Sequence, residues 1–120
     1  MTAGGPQSPP LSADTFPVTV RRFVQENFDT VTAVDVLLLL HRERSRSWSG
    51  PAVARRLRIE VDQTRDILDG LTRSGLLRRE GFTFEYRPRT QELDGAVETL
   101  AGLYSRYRFR ISDLIFATHS

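Results

Sequence analysis

From Val18 onward the apolar residues recur at helical spacing. Val18, Val20, Phe23, Val24 and Phe28 can share one face, which predicts a short helix ending near Asn27 or Phe28. Asp29 or Thr30 can cap a second helix reaching about Arg44. Its Val31, Val34, Leu37, Leu38 and Leu40 cover more than one stripe, the mark of a centrally buried helix. Arg42, Glu43, Arg44, Arg46 and the serines at 45, 47 and 49 read as an exposed connection. Ser49, with Pro51 in the first turn, opens a third helix through Ala52, Val53, Ala54 and Leu57. After a tight connection at Arg58 and Ile59, Thr64, Ile67, Leu68 and Leu71 mark the core side of a fourth. Gly75 sits where a helix C-terminus favours a left-handed residue. Leu76 to Arg79 then predicts a strand, Glu80-Gly81 a turn, and Phe82 to Arg87 a second strand. In the latter Phe82, Phe84 and Tyr86 alternate with polar residues, giving one buried face.

Thr90 can cap a last helix in which Leu93, Val97, Leu100, Tyr104, Tyr107, Ile111 and Leu114 follow one another at intervals of 4, 3, 4, 3, 4 and 3. Ala96, Ala101, Leu103 and Ile115 widen this heptad seam on both flanks. Two destinations suit such a seam: the second helix of the same chain, or a second copy of the chain. A helix this long outruns a domain of some 60 residues and would leave a large apolar patch, so dimerisation is the expectation.

Composition removes several function classes. The 120 residues include no cysteine, which excludes disulfides, cysteine-ligated zinc and thiol nucleophiles. The two histidines, His41 and His119, stand far apart, and no carboxylate or histidine pair has metal-ligand spacing in an apolar setting. No glycine-rich phosphate loop appears. An enzyme is therefore not expected, and no cofactor. The longest purely apolar run is Val36 to Leu40, far short of the ~20 residues that span a bilayer. No basic-then-apolar leader opens the chain, so a cytoplasmic protein without a membrane partner is expected. Residues 1–17 hold four of the six prolines with Gly4, Gly5, Ser8 and Ser12, and read as a disordered N-terminal tail. His41, closing the apolar run of the second helix, reads as a C-terminal residue interacting with the helix dipole.

Helix, helix, short turn, helix and hairpin is the order of a winged helix-turn-helix. The run Trp48-Ser49-Gly50-Pro51-Ala52-Val53-Ala54-Arg55-Arg56-Leu57 looks like the first helix of that motif. Asp62 to Gly75, followed by Leu76-Leu77-Arg78-Arg79-Glu80-Gly81, resembles the corresponding passage of MarR-like and related bacterial regulators. The resemblance covers about residues 30 to 89. The whole chain also resembles small uncharacterised bacterial winged-helix proteins that end in an arginine-rich helix and a Leu-Ile-Phe segment. It implies a mainly α fold with a small β-hairpin, a winged helix-turn-helix plus a long C-terminal helix. The implied divisions are a winged-helix domain over 18–89 and a dimerisation helix over 90–120.

By that resemblance the second helix of the motif enters the major groove, and the wing touches backbone or minor groove. Val61, Asp62, Gln63, Arg65, Asp66 and Asp69 would then form the reading face, with Gln63 and Arg65 as the candidate base contacts. Here the charge pattern departs from expectation. Glu60 to Gly75 holds four acids and two arginines, a net −2 where phosphate attraction is wanted. The positive charge lies on either side. All of it is arginine, seventeen residues with no lysine, against fifteen acids. Residues 18–59 carry eight arginines against four acids, and residues 76–89 four against two. Arg55, Arg56 and Arg58 can flank a nucleic-acid backbone from one side, and Arg78, Arg79 and Arg87 from the wing. These clusters equally suit a solvated surface, since arginine here does lysine's work as well. Two functions follow. One is a homodimeric winged-helix regulator of transcription on double-stranded DNA. The other is a winged-helix protein-interaction module whose acidic third helix binds a protein partner.

Overall fold

The computed structural model describes residues 17–119. Among them are five helices and three short strands: α1 (Val18–Asn27), α2 (Val31–Arg42), β1 (Trp48–Ser49), α3 (Gly50–Leu57), α4 (Val61–Arg73), β2 (Leu77–Glu80), β3 (Thr83–Tyr86) and α5 (Gln91–His119). The fold is mostly helical with one small antiparallel sheet of order β1-β3-β2. The tail expected over residues 1–17 lies, apart from Pro17, outside the described residues. No helix among the described residues is long and apolar enough to cross a membrane.

α2 is the hub. Thr30 Oγ1 accepts from the Ala33 amide at 3.2 Å and so satisfies one of the free donors at its start. Val34, Val36, Leu37, Leu39 and Leu40 are all essentially inaccessible to water. Each such side chain contributes roughly 1.5–3 kcal/mol of burial. Apolar positions all round a helix need neighbours all round it. α3, α4, β3 and α5 supply them.

The α3–α4 pair is set by its ends. Ser49 Oγ accepts from the Ala52 amide at 3.2 Å, and Pro51 takes the first turn of α3. Arg58 closes α3 in the left-handed region (φ 60°, ψ 49°), which turns the chain sharply into α4. Glu60 caps α4, its Oε1 accepting from the Gln63 amide at 2.8 Å. Thr64, wholly buried, donates its hydroxyl to the Glu60 carbonyl at 2.8 Å, so that burial leaves no orphan. Leu68 and Leu71 fill the core as the periodicity predicts, while Ile67 is only half-buried. Gly75 (φ 85°) ends the helix. A Cβ there would meet only the exposed Arg89 side chain, so it is the left-handed conformation that asks for glycine.

The sheet corrects two expectations. β3 begins at Thr83, and Phe82, expected on the buried face, is 87% exposed. The register Glu80↔Thr83 leaves Gly81-Phe82 as a two-residue turn, for which Gly81 supplies a φ of 63°. Phe82 is therefore a turn residue. Trp48 and Ser49, expected in or beside an exposed connection, form β1 and pair with Phe84 and Thr83.

α5 corrects a third. It is broken at Tyr107 (φ −123°, ψ 35°), so the heptad does not run along one straight helix. Val97, Leu100, Ile111 and Leu114 are buried within the single chain, Val97 and Leu100 to 0% exposure. Leu93, Tyr104 and Tyr107 pack half-buried against the same cluster. The residues expected between two copies thus close the chain's own core against α1 and α2. One core takes in residues from α1 to α5.

Candidate nucleic-acid interface

The exposed side of α4 is the candidate surface. With Thr64, Leu68 and Leu71 facing inward, helical geometry puts Asp62 and Asp66 on the outer crest, Arg65 on one flank and Gln63 on the other. Arg65 and Asp69 look toward the hairpin. There they line a groove of about 340 Å³ with Ser49, Gly50 and Pro51 from the start of α3 and Arg79, Phe82 and Phe84 from the hairpin. Gln63 lies on the opposite side with Asp66 and Gly70, over the α1–α2 junction at Asn27 and Thr30. Gln63 and Arg65, expected to read bases together, therefore do not converge on one base pair. The reason is the 3.6-residue period, which sends positions two apart to opposite flanks.

The arginines of the hairpin also separate. Strand alternation puts Arg79 on the inner face with Leu77, Phe84 and Tyr86, and Arg78 on the outer face with its cross-strand partner Glu85. Arg79 Nη1 stands 4.0 Å from Asp69 Oδ1, and its Nε donates to the Gly81 carbonyl at 2.9 Å. Arg87 is drawn to Glu85 at 3.1 Å, and Arg56 donates to Glu43 at 3.1 Å. Glu43 also receives Arg46, which stacks over the Trp48 ring at 4.0 Å. Such exposed pairs contribute at most about 1 kcal/mol each, and a phosphate can displace them. Arg55, Arg58, Arg65 and Arg78 are exposed and make no ion pair among the described residues. Arg55 lies in the last turn of α3, Arg58 at the turn leading into α4, and Arg78 on the hairpin that follows it. The six arginines expected to act as two clusters thus divide into free and engaged groups.

The acids divide as well. Of the four from Glu60 to Gly75, Glu60 is used as the α4 cap and Asp69 faces Arg79. Asp62 and Asp66 remain outward and make no ion pair among the described residues. Sequence periodicity had already marked them as exposed. The capping role of Glu60 was the signal missed.

A second polar cluster lies behind this surface and is architectural. His41, 8% exposed, has Nε2 at 3.1 Å from Glu98 Oε2 and 2.8 Å from Arg44 Nη2, and its ring meets Tyr86 edge-on. Arg44 Nη2 also donates to Glu98 Oε2 at 2.8 Å. Hydrogen bonds from Arg44 first, then His41, hold the Glu98 carboxyl below its ordinary range. Tyr86 donates to Asp94 Oδ1 at 2.6 Å, and burial first, with that bond second, pushes its hydroxyl well up. This network ties α2, β3 and α5 together. His41 thus does more than face the end of a helix dipole.

No group of three or more His, Asp or Glu among the described residues could hold a metal ion. No protein-family model, curated protein or solved structure matches the chain.

Proposed function

We propose that the chain is a winged-helix DNA-binding protein, with α3–α4 as its helix-turn-helix and the β2–β3 hairpin as its wing, regulating transcription on double-stranded DNA. One observation carries the reading. The exposed helix α4 is bracketed by arginines with no ion pair: Arg58 at its entrance, Arg65 on its flank, Arg55 in the last turn of α3, Arg78 on the hairpin. Phosphate neutralisation supplies most of the affinity for DNA, and arginines already free of carboxylates can supply it without breaking other bonds. The acids on the crest are compatible with this placement. In the major groove a crest faces base edges, where a carboxylate accepts from cytosine N4, while the flanks face phosphates.

The seam of α5 is used inside one chain, so the proposed unit is a single protomer presenting one α4. A homodimer would need another surface than Leu93 to Leu114. The alternative, a protein-interaction module, is favoured by Asp62 and Asp66, whose exposed carboxylates suit a basic protein partner. Retention of the chain on random-sequence duplex at low salt, eluted by rising salt, tests the DNA reading. Passage through such a column with retention by a polybasic one supports the alternative.

A further inference from the structure

We propose that Phe82 is a base-stacking residue, carried by the hairpin into DNA to pack against a base at a deformable pyrimidine–purine step. The inference rests on the DNA reading of α4 and assigns the hairpin tip its contact. Phe82 is 87% exposed, although phenylalanine is a side chain that folded chains bury. The sheet does not use the ring, since the Glu80↔Thr83 pair closes the ladder around the turn. The turn is nonetheless braced. Arg79 Nε donates to the Gly81 carbonyl at 2.9 Å, and the Thr83 hydroxyl donates to the Glu80 carbonyl at 3.0 Å. A contact group held on a braced turn loses little freedom on binding.

The surroundings favour a nucleobase. Glu80, Gly81 and Thr83, the chain neighbours of Phe82, add no large apolar area, and Pro51 and Phe84 line the groove on which the ring stands. Arg65 and Arg79 line the groove beside it, with Asp69 facing Arg79 at 4.0 Å. An apolar wedge next to guanidinium groups can unstack a base step while the cations meet the backbone.

The test is a duplex carrying 2-aminopurine at a central TA step, titrated with the full chain at low salt. Wild type should raise the fluorescence as the base leaves its stack. Phe82→Ala should abolish the rise and weaken binding about tenfold, the size of one base–aromatic stack. The salt slope should not change, because no phosphate contact is lost. Phe82→Trp should keep both signals. The alanine variant should melt where wild type does, since the ring is outside the core. Wild-type binding that is indifferent to Phe82→Ala would overturn the inference and leave the α4 reading standing, as it would if the ring docks a protein. A wild-type chain with no salt-dependent DNA binding would overturn both.

Discussion

Tyr104 on α5 donates its hydroxyl to Asp35 of α2 at 2.6 Å, one residue pair that pins the last helix across the hub. Arg108, on the far side of the break at Tyr107, donates to the same hydroxyl at 3.1 Å and lies 3.5 Å from Asp35. Both halves of α5 are thereby fastened to one carboxylate. Burial first, and the bond to Asp35 second, pushes the Tyr104 hydroxyl up to about 12. Its folded value lies above the unfolded one, so the stability it contributes is complete below about pH 10. That contribution should be lost as pH rises from about 10 through 12. Tyr104→Phe should cost roughly 1 kcal/mol at neutral pH. It should also flatten the alkaline limb of stability measured by denaturant unfolding across that window.

Glu98 gives the acid counterpart. Its folded value is lowered by Arg44 and His41, so its contribution is present above the ordinary carboxylate range and disappears as pH falls through the lowered value. Glu98→Gln should make stability less dependent on pH below about 4.5. An unaltered acid limb in urea titrations would detach Glu98 from the network.

Leu100 tests where the seam belongs. It is fully buried inside one chain. Leu100→Ala should therefore cost about 2–5 kcal/mol as a core cavity. Leu100→Glu should unfold the protein, because it buries an unpaired charge. A folded, stable Leu100→Glu monomer derived from a wild-type dimer would return the seam to the space between two copies.

The sequence carried the helices well and the partnerships poorly. Thr30, Ser49 and Gly75 sit at the boundaries that capping chemistry assigns them, because those devices are local. The sheet edge was not legible, since a two-residue strand such as Trp48–Ser49 has no period to read. Phe82 fits the alternation of β3, and only the Gly81 turn excludes it from the strand. For α5 the difficulty is physical. A stripe at intervals of 4 and 3 buries equally well against its own hub or against a second copy, and the pattern is the same. Nor does a proline or glycine mark the break at Tyr107. At the candidate surface, the separation of Arg78 from Arg79, and of Gln63 from Arg65, follows from the periods 2 and 3.6 alone. Which arginines meet carboxylates does not, because Glu43 and Arg56 come together only in the folded chain.

Asp62 and Asp66 discriminate between partners. Converting both to asparagine should raise DNA affinity several-fold at low salt, with a smaller gain at high salt as screening removes the repulsion. It should also relax preference for sites whose cytosines those carboxylates would meet. Loss of a basic protein partner, with DNA binding absent before and after, would move the assignment to the interaction module.

The most direct measurement is the salt dependence of duplex binding by the wild-type chain beside the variant with Arg55, Arg58, Arg65 and Arg78 all changed to alanine. Each phosphate contact contributes about −0.9 to the slope of log K against log salt. The wild type should show a slope near −3.6 or steeper, and the variant should lose most of it while remaining folded. Absence of wild-type binding at low salt, or an identical slope in the variant, would contradict the placement of DNA on α4 and the hairpin.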